Sequence, residues 1–258
     1  MNNGTGTDEV VQQLPPLSER YRRALLMVLH DYSRRADTLA VIVAGSIIRG
    51  EGSTTSDLDF WIVIDSDYRQ RKNFLVGDVP VEVFMNPPEQ VLRCIAVGDY
   101  HAMHMMGHGL LLWVREGHGP LVARLRQWCR SGFALGPRPL GDETRKAQRY
   151  AIIDQVQDAF DILRTDPSMA NLLLEKVVDM ALALYYAERR VWLPKGKRLL
   201  ADLRGRDAVL AARIERFAAL AEPDQRHQLL LTILDHIMGH GRYGWEDWSW
   251  ESPLERVR

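Results

Sequence analysis

The sequence is poor in cysteine, lacks long apolar runs and carries almost no net charge. Its 258 residues include two cysteines, Cys94 and Cys129, whose separation fits no metal-binding motif, so a reduced, cytoplasmic protein is expected. No apolar run approaches the ~20 residues that span a bilayer, which argues against a membrane protein. The first residues have neither a basic stretch nor an apolar core, so no signal peptide is predicted. The formal net charge of −1 argues against a nucleic-acid partner.

Three segments of different composition follow one another along the chain. Residues 1–17 are polar, end in two prolines and are predicted to form a flexible tail. Residues 18–136 mix short apolar runs with helical patterns, whereas residues 137–258 contain helical patterns alone. The boundary is the proline- and glycine-rich stretch 136–139. The sequence therefore predicts an α+β chain with two domains, the second of them helical.

Apolar periodicity predicts the individual elements. Ser18 is placed to cap a first helix, and Pro88 to begin another. Four buried strands are predicted, at 39–44, 58–64, 80–85 and 110–114. The helices of the second half are predicted at about 142–164, 168–190, 207–220 and 223–238.

The first strand ends at Gly45-Ser46, which we expect to lead into a helix. Backbone N–H groups at a helix start favour an anion, and glycine lets a phosphate approach closely. The Ser46 hydroxyl adds a further donor. Arg49 is positioned to reach a triphosphate, although an exposed arginine is more often solvated. The sequence lacks the Lys-Ser/Thr of a Walker A loop and the third glycine of a Rossmann fingerprint.

Asp57 and Asp59 precede and begin the second strand. Residues i and i+2 of a strand face the same side, so the two carboxylates are expected side by side. At about 4 Å and an effective dielectric near 20 they would repel by roughly 4 kcal/mol, which a divalent cation would reverse. Mg²⁺ suits such oxygen ligands and takes its remaining ligands from phosphates and water. In the alternative interpretation, Asp57 lies in a turn and Asp59 is simply exposed.

Glu82 is the third candidate ligand, because it interrupts the otherwise apolar strand 80–85. A carboxylate in a buried strand is costly unless it is paired or bound to a metal. The alternative is an edge strand on which Glu82 faces water.

These motifs together resemble the signature of the DNA polymerase beta-like nucleotidyltransferase superfamily. The resemblance covers roughly residues 20–115 and implies a small mixed sheet flanked by helices. The helical second domain is similar to that of the kanamycin, streptomycin and lincosamide nucleotidyltransferases. The residues that carry the resemblance are Gly45-Ser46-x-x-Arg49-Gly50, Ser56-Asp57-Leu58-Asp59 and Glu82.

The resemblance also implies roles for these residues. The triphosphate of an NTP, often ATP, would lie on the Gly45-Ser46 turn, with Arg49 and Ser56 beside it. Asp57 and Asp59 would hold one or two Mg²⁺ ions, and Glu82 would be either a further metal ligand or the general base. A substrate hydroxyl would then attack the α-phosphorus, and pyrophosphate would leave.

The second half offers weaker candidates. Lys195 and Lys197, in a predicted basic loop, are either phosphate contacts or solvated side chains. His236 and His240 have a zinc-type spacing without the catalytic glutamate, which favours a structural role. The aromatic stretch 245–250 either packs on the helices or stacks against a ring of the substrate. Three acids recur on one helical face and either bind a cationic acceptor or are solvated: Asp154, Asp158 and Asp161.

The sequence thus predicts a Mg²⁺-dependent nucleotidyltransferase that moves an NMP, in the first place AMP from ATP, to a hydroxyl of a small molecule. An aminoglycoside or lincosamide acceptor would make it an antibiotic-resistance enzyme. One alternative is transfer to a protein or tRNA, as in toxin–antitoxin systems, and another is a non-catalytic nucleotide-binding module. The protein is expected in the cytoplasm, and a homodimer is one assembly compatible with the sequence.

Overall fold

The structure is a computed structural model that describes residues 14–239. The chain divides into two compact units, Met1–Gly136 and Pro137–Arg258. The predictions for most of the N-terminal tail, for His240 and for the aromatic stretch 245–250 lie outside the described residues. The α+β prediction is confirmed, because the first unit contains a five-stranded mixed sheet and the second a series of helices.

The first unit combines the sheet with helices before, between and after its strands. The strand order is β3-β4-β2-β1-β5; β2 and β4 are parallel, and the other neighbours are antiparallel. The elements in chain order are α1 (Glu19–Ser33), β1 (Thr38–Ala44), β2 (Leu58–Ile64), β3 (Gln70–Val76), β4 (Val79–Asn86), α2 (Pro88–Val97), α3 (Tyr100–His108), β5 (Leu110–Val114) and α4 (Gly119–Ala134).

Helix α1 packs on one face of the sheet and forms a core with it. Its buried side chains, Leu25 among them, cluster with Leu58, Phe60 and Ile62 of β2. Because successive strand residues face opposite sides, Asp59 faces away from this core. Ser18 is the N-cap residue of α1 as predicted, but its hydroxyl makes no capping bond, so burial of the apolar face is what holds the helix in place.

Strand β3 was not predicted from the sequence. All its residues but the last are exposed, and it forms one edge of the sheet, so it shows neither the alternation nor the apolar run that marks a buried strand. A turn signal was present in Gly77-Asp78, which joins paired residues Val76 and Val79. Gly77 has a φ of +61°, as the first central residue of a primed hairpin turn requires.

The second unit consists of helices in its described part. The long helices begin and end within two residues of the predicted bounds, and α7 is an additional helix. The predicted basic loop is wrong in part, because Lys195 is the N-cap of α7 and Lys197 lies in its first turn. The elements are α5 (Asp142–Ile162), α6 (Pro167–Glu188), α7 (Gly196–Arg206), α8 (Ala208–Ala219) and α9 (Pro223–Met238).

A separate apolar core lies within these helices. Helix α6 contributes most to it, with fully buried residues such as Leu174 and Val177, and α9 adds Leu230 and Ile233. None of the helices within residues 14–239 combines the length and apolarity that crossing a bilayer requires. Both cysteines, in the first unit, are buried free thiols, and burial raises the pKa of Cys129 to about 12.

Candidate active site

The Gly45-Ser46 segment leads into a turn rather than the predicted helix. The Glu51 N–H donates to the Ser46 carbonyl at 2.9 Å, and the Gly50 N–H donates to the Ile47 carbonyl at 3.1 Å. Gly50 has a φ of +73°. This pair of bonds is therefore a Schellman motif, which ends the helical turn after Gly45 within one turn. The prediction of a helix was therefore wrong, and a helix dipole gives no support to phosphate binding here.

Gly45 leaves space for the Asp59 carboxylate. A Cβ atom on Gly45 would overlap Oδ2 of Asp59. The pairing of Ala44 with Asp59 explains this approach, since β1 and β2 are antiparallel neighbours at this point. Gly45 also has a φ of +92°, which L residues rarely adopt. Glycine at position 45 therefore suits the backbone conformation, and a side chain there would force the Asp59 carboxylate to shift.

Ser56 ties together the loop that delivers Asp57. Its hydroxyl accepts bonds from the Ser53 N–H at 2.9 Å and from the Ser46 hydroxyl at 3.3 Å. The Ser56 carbonyl accepts a bond from the hydroxyl of Tyr21 on α1, at 2.8 Å. The loop before Asp57 is therefore anchored both to the Gly45-Ser46 turn and to the core helix.

The side chains of Asp57, Asp59 and Glu82 converge beside the neighbouring strands β2 and β4. Asp59 and Glu82 are register partners on these parallel strands, and Asp57 lies two residues before Asp59. Each of the three offers a carboxylate oxygen, and these oxygens all lie within 4.8 Å of one another. Each residue is partly exposed, so a ligand from solvent can reach the cluster. The structure thus brings together the three acids that the sequence predicts as candidate metal ligands.

Glu82 is neither unpaired nor on an edge strand. Strand β4 lies between β3 and β2. Nη2 of Arg71, on β3, lies 3.0 and 2.9 Å from the two carboxylate oxygens of Glu82. Sequence reasoning missed Arg71 because it missed the strand that carries it. The demand of a buried-strand carboxylate for a partner was the signal that could have led to it.

Arg49 lies near enough to Asp59 for the two charges to interact. Its Nε donates to Glu51 at 3.0 Å. Burial lowers the pKa of the Arg49 guanidinium, and the negative charge of Asp59 opposes that shift. Arg49 therefore contributes positive charge near Asp59, and a phosphate group could exchange with Glu51 as its partner.

The remaining predicted ligands are distributed differently. Ser46 and Ser56 are both buried and bonded to each other beside the acids. Lys195 and Lys197 lie in the second unit, where both side chains are exposed. Of the helical acids, Asp158 and Asp161 on α5 are exposed, and Asp158 accepts a hydrogen bond from Gln155 at 3.1 Å.

The donor set fits a hard divalent cation. Three carboxylates provide oxygen ligands only, and their mutual repulsion favours a bound cation. No other group of three or more His, Cys, Asp or Glu residues within 14–239 could hold a metal.

No protein-family model matches the sequence, and no curated protein matches it. Among solved structures, the chain is similar to a nucleotidyltransferase-like protein from Exiguobacterium sibiricum 255-15. The two share 13% sequence identity and a TM-score of 0.48, over 84% of this chain and 74% of the other. A likeness at this level does not establish a function.

Proposed function

We propose that the protein is a Mg²⁺-dependent nucleotidyltransferase that moves an NMP from an NTP to a hydroxyl group of a small molecule. The observation that carries this proposal is the convergence of Asp57, Asp59 and Glu82 beside the Gly45-Ser46 turn. ATP is the first donor to test, and aminoglycosides and lincosamides are the first acceptors.

The proposed reaction joins the acceptor oxygen to the α-phosphorus and breaks the bond from that phosphorus to the oxygen bridging to the β-phosphate. Pyrophosphate leaves, and the hydroxyl proton passes to Glu82 or to solvent. Asp57 and Asp59 would hold the metal, with Glu82 as a third ligand if it is not the base. When bound, Mg²⁺ would supply charge stabilisation for the attacking and leaving oxygens.

Other residues of the site would serve binding. Gly45 has no side chain to block a phosphate, and the Arg49 guanidinium carries charge complementary to one. Lys195 and Lys197 stay candidates for phosphate contacts, and the acids of α5 for contacts to a cationic acceptor.

The experiment is incubation of the purified chain with α-³²P-labelled NTPs, Mg²⁺ and a panel of hydroxyl compounds that includes both antibiotic classes. We expect labelled product and pyrophosphate in equal amounts. Asp59→Asn should lower the rate by more than ~100-fold, since removal of a ligand exceeds the 10–100-fold typical of residues that merely support one. Asp67→Asn is the matched control, because Asp67 is an exposed acid outside the cluster.

The outcomes separate the alternatives. Label in the macromolecular fraction of a lysate would indicate a protein or tRNA acceptor instead. Mg²⁺-dependent NTP binding without turnover on any acceptor would indicate a non-catalytic nucleotide-binding module. Equal rates for wild type and Asp59→Asn would contradict the proposal.

A further inference from the structure

Arg71 forms an ion pair with Glu82, one of the three acids of the proposed metal site. One guanidinium nitrogen is within 3.0 Å of both oxygens of Glu82. The guanidinium carbon also lies 4.8 Å from the centroid of the Phe84 ring. Phe84 in turn stacks on Trp61, with ring centroids 6.4 Å apart and planes at 17°. Arg71 is therefore held at two points, by the acid and by an aromatic face.

The same Glu82 carboxylate belongs to the cluster with Asp57 and Asp59. Three carboxylates close together repel one another, and the charge of Arg71 offsets part of that repulsion. A divalent cation bound by all three acids would do the same. The guanidinium and the cation would each be attracted to Glu82 and would repel each other.

From this arrangement we infer that Arg71 is a positioning residue that holds Glu82 in the absence of metal and competes with the divalent cation for it. The inference rests on the proposed function, since it concerns the same metal site. Asp57 and Asp59 are then the ligands that a cation meets first, and Glu82 joins them as Arg71 gives way.

The exposure of the two side chains suits this exchange. The Arg71 side chain is 58% exposed, whereas that of Glu82 is 26% exposed. An arginine at the surface can leave its partner without a buried charge being left behind. Its contact with Phe84 does not involve Glu82, so it can keep the guanidinium nearby after the carboxylate turns to the metal.

The test measures Mn²⁺ binding to the full chain by calorimetry and by the loss of the free-ion EPR signal, without nucleotide. Arg71→Met should tighten Mn²⁺ binding by about 3- to 10-fold, the effect of removing one positive charge some 6 Å from a divalent ion in water at moderate salt. Arg71→Lys keeps the charge and should stay within about 2-fold of wild type by the same reasoning.

Lys72→Met is the matched control. Lys72 is the next residue of β3, is also exposed, and points to the opposite face of the strand. Lys72→Met changes the net charge by the same amount as Arg71→Met and should leave Mn²⁺ affinity nearly unchanged. In a Glu82→Gln background, Arg71→Met should tighten Mn²⁺ binding less than it does beside Glu82, because the competition for the carboxylate is gone and only the direct repulsion between Arg71 and the ion is left.

The Mn²⁺ measurements distinguish failure of the inference about Arg71 from failure of the proposed metal site. If wild type binds Mn²⁺ and Arg71→Met binds it equally or more weakly, Arg71 does not compete and the inference is wrong, while the proposed function stands. The same holds if Lys72→Met tightens binding as much as Arg71→Met. If wild type binds no Mn²⁺ at millimolar concentration, the metal site itself is wrong, and the inference falls with it.

Discussion

At the scale of single residues, Gly45 shows how backbone conformation and site chemistry constrain the same position. Its φ of +92° disfavours any side chain, and the Asp59 carboxylate occupies the space where a Cβ would lie. Gly50 shares the first constraint, with a φ of +73°, but a Cβ there would meet nothing within 4 Å. The two glycines therefore separate backbone strain from displacement of the acid.

Gly45→Ala and Gly50→Ala should each destabilise the protein by about 1–2 kcal/mol, the cost of a left-handed conformation for an L residue. Only Gly45→Ala should also weaken Mn²⁺ binding, because it displaces Asp59. Denaturant unfolding and Mn²⁺ calorimetry measure the two effects. Unchanged Mn²⁺ affinity in Gly45→Ala, with the chain still folded, would show that the position of Asp59 does not matter for the metal.

At the scale of elements, the start of α8 is tied to two neighbouring helices through one side chain. Asp207 caps α8 by accepting from the Leu210 N–H at 2.9 Å, and it also accepts from Tyr185 at 3.3 Å and His236 at 2.7 Å. Nδ1 of His236 lies 3.1 Å from Nη1 of Arg213, which is a donor, so Nε2 of His236 is the nitrogen that donates to Asp207. His236 thus has a structural partner in this network.

The carboxyl group of Asp207 should make the second unit sensitive to acid. Burial alone would raise its pKa, but the bonds from the Leu210 N–H and from His236 outweigh burial and lower the pKa. A depressed pKa contributes stability that is complete above the unfolded value near 4 and is lost as pH falls through the folded value. Asp207→Asn should therefore flatten the decline in stability below about pH 4, as measured by urea unfolding at several pH values.

Asp166 provides a comparison for the stability that Asp207 contributes at neutral pH. It caps α6 through the Met169 N–H at 3.0 Å and is exposed. Asp166→Ala should cost about 1 kcal/mol, the usual value of a cap. Asp207→Ala should cost more, about 2–3 kcal/mol, since the partly buried donors Tyr185 and His236 also lose their acceptor. Equal losses in the two variants would show that the bonds from Tyr185 and His236 contribute nothing.

At the scale of the whole molecule, the chain contains two compact units with separate apolar cores. Leu25 in the first core and Leu174 in the second are both fully buried. Truncation of either to alanine should cost about 2–5 kcal/mol, because a cavity remains as well as the lost burial. Both variants carry the same leucine-to-alanine substitution at a fully buried position. Any difference in which amides they affect therefore shows which core each leucine supports.

Leu174→Ala should therefore speed hydrogen exchange in the helices of the second unit and leave the amides of β1 and β2 protected. Leu25→Ala should do the reverse. Exchange followed by mass spectrometry resolves the two patterns. A uniform increase across both units in either variant would mean that the two cores unfold together.

The local signals in the sequence were sufficient for the four predicted strands, the long helices of the second unit and the three acids. β1 and β2 were recognised because both of their faces are buried, so their residues form continuous apolar runs. Asp57, Asp59 and Glu82 stood out because acids beside or within such runs are costly without a partner. Within the described residues, the α+β architecture and the order of the long helices likewise followed from periodicity.

The partners of those elements depended on tertiary structure. Exposed β3 has no pattern that marks a buried strand, so neither it nor the pairing of Arg71 with Glu82 was predicted, although Gly77-Asp78 signalled a turn. The turn after Gly45 closes through its own backbone bonds instead of continuing as a helix, and the contact of Gly45 with Asp59 depends on the register of β1 with β2. The sequence alone determined which residues are candidates for the chemistry, because burial and charge leave local patterns. Only the tertiary structure decided what surrounds them, because register and cross-strand contacts arise between segments distant in sequence.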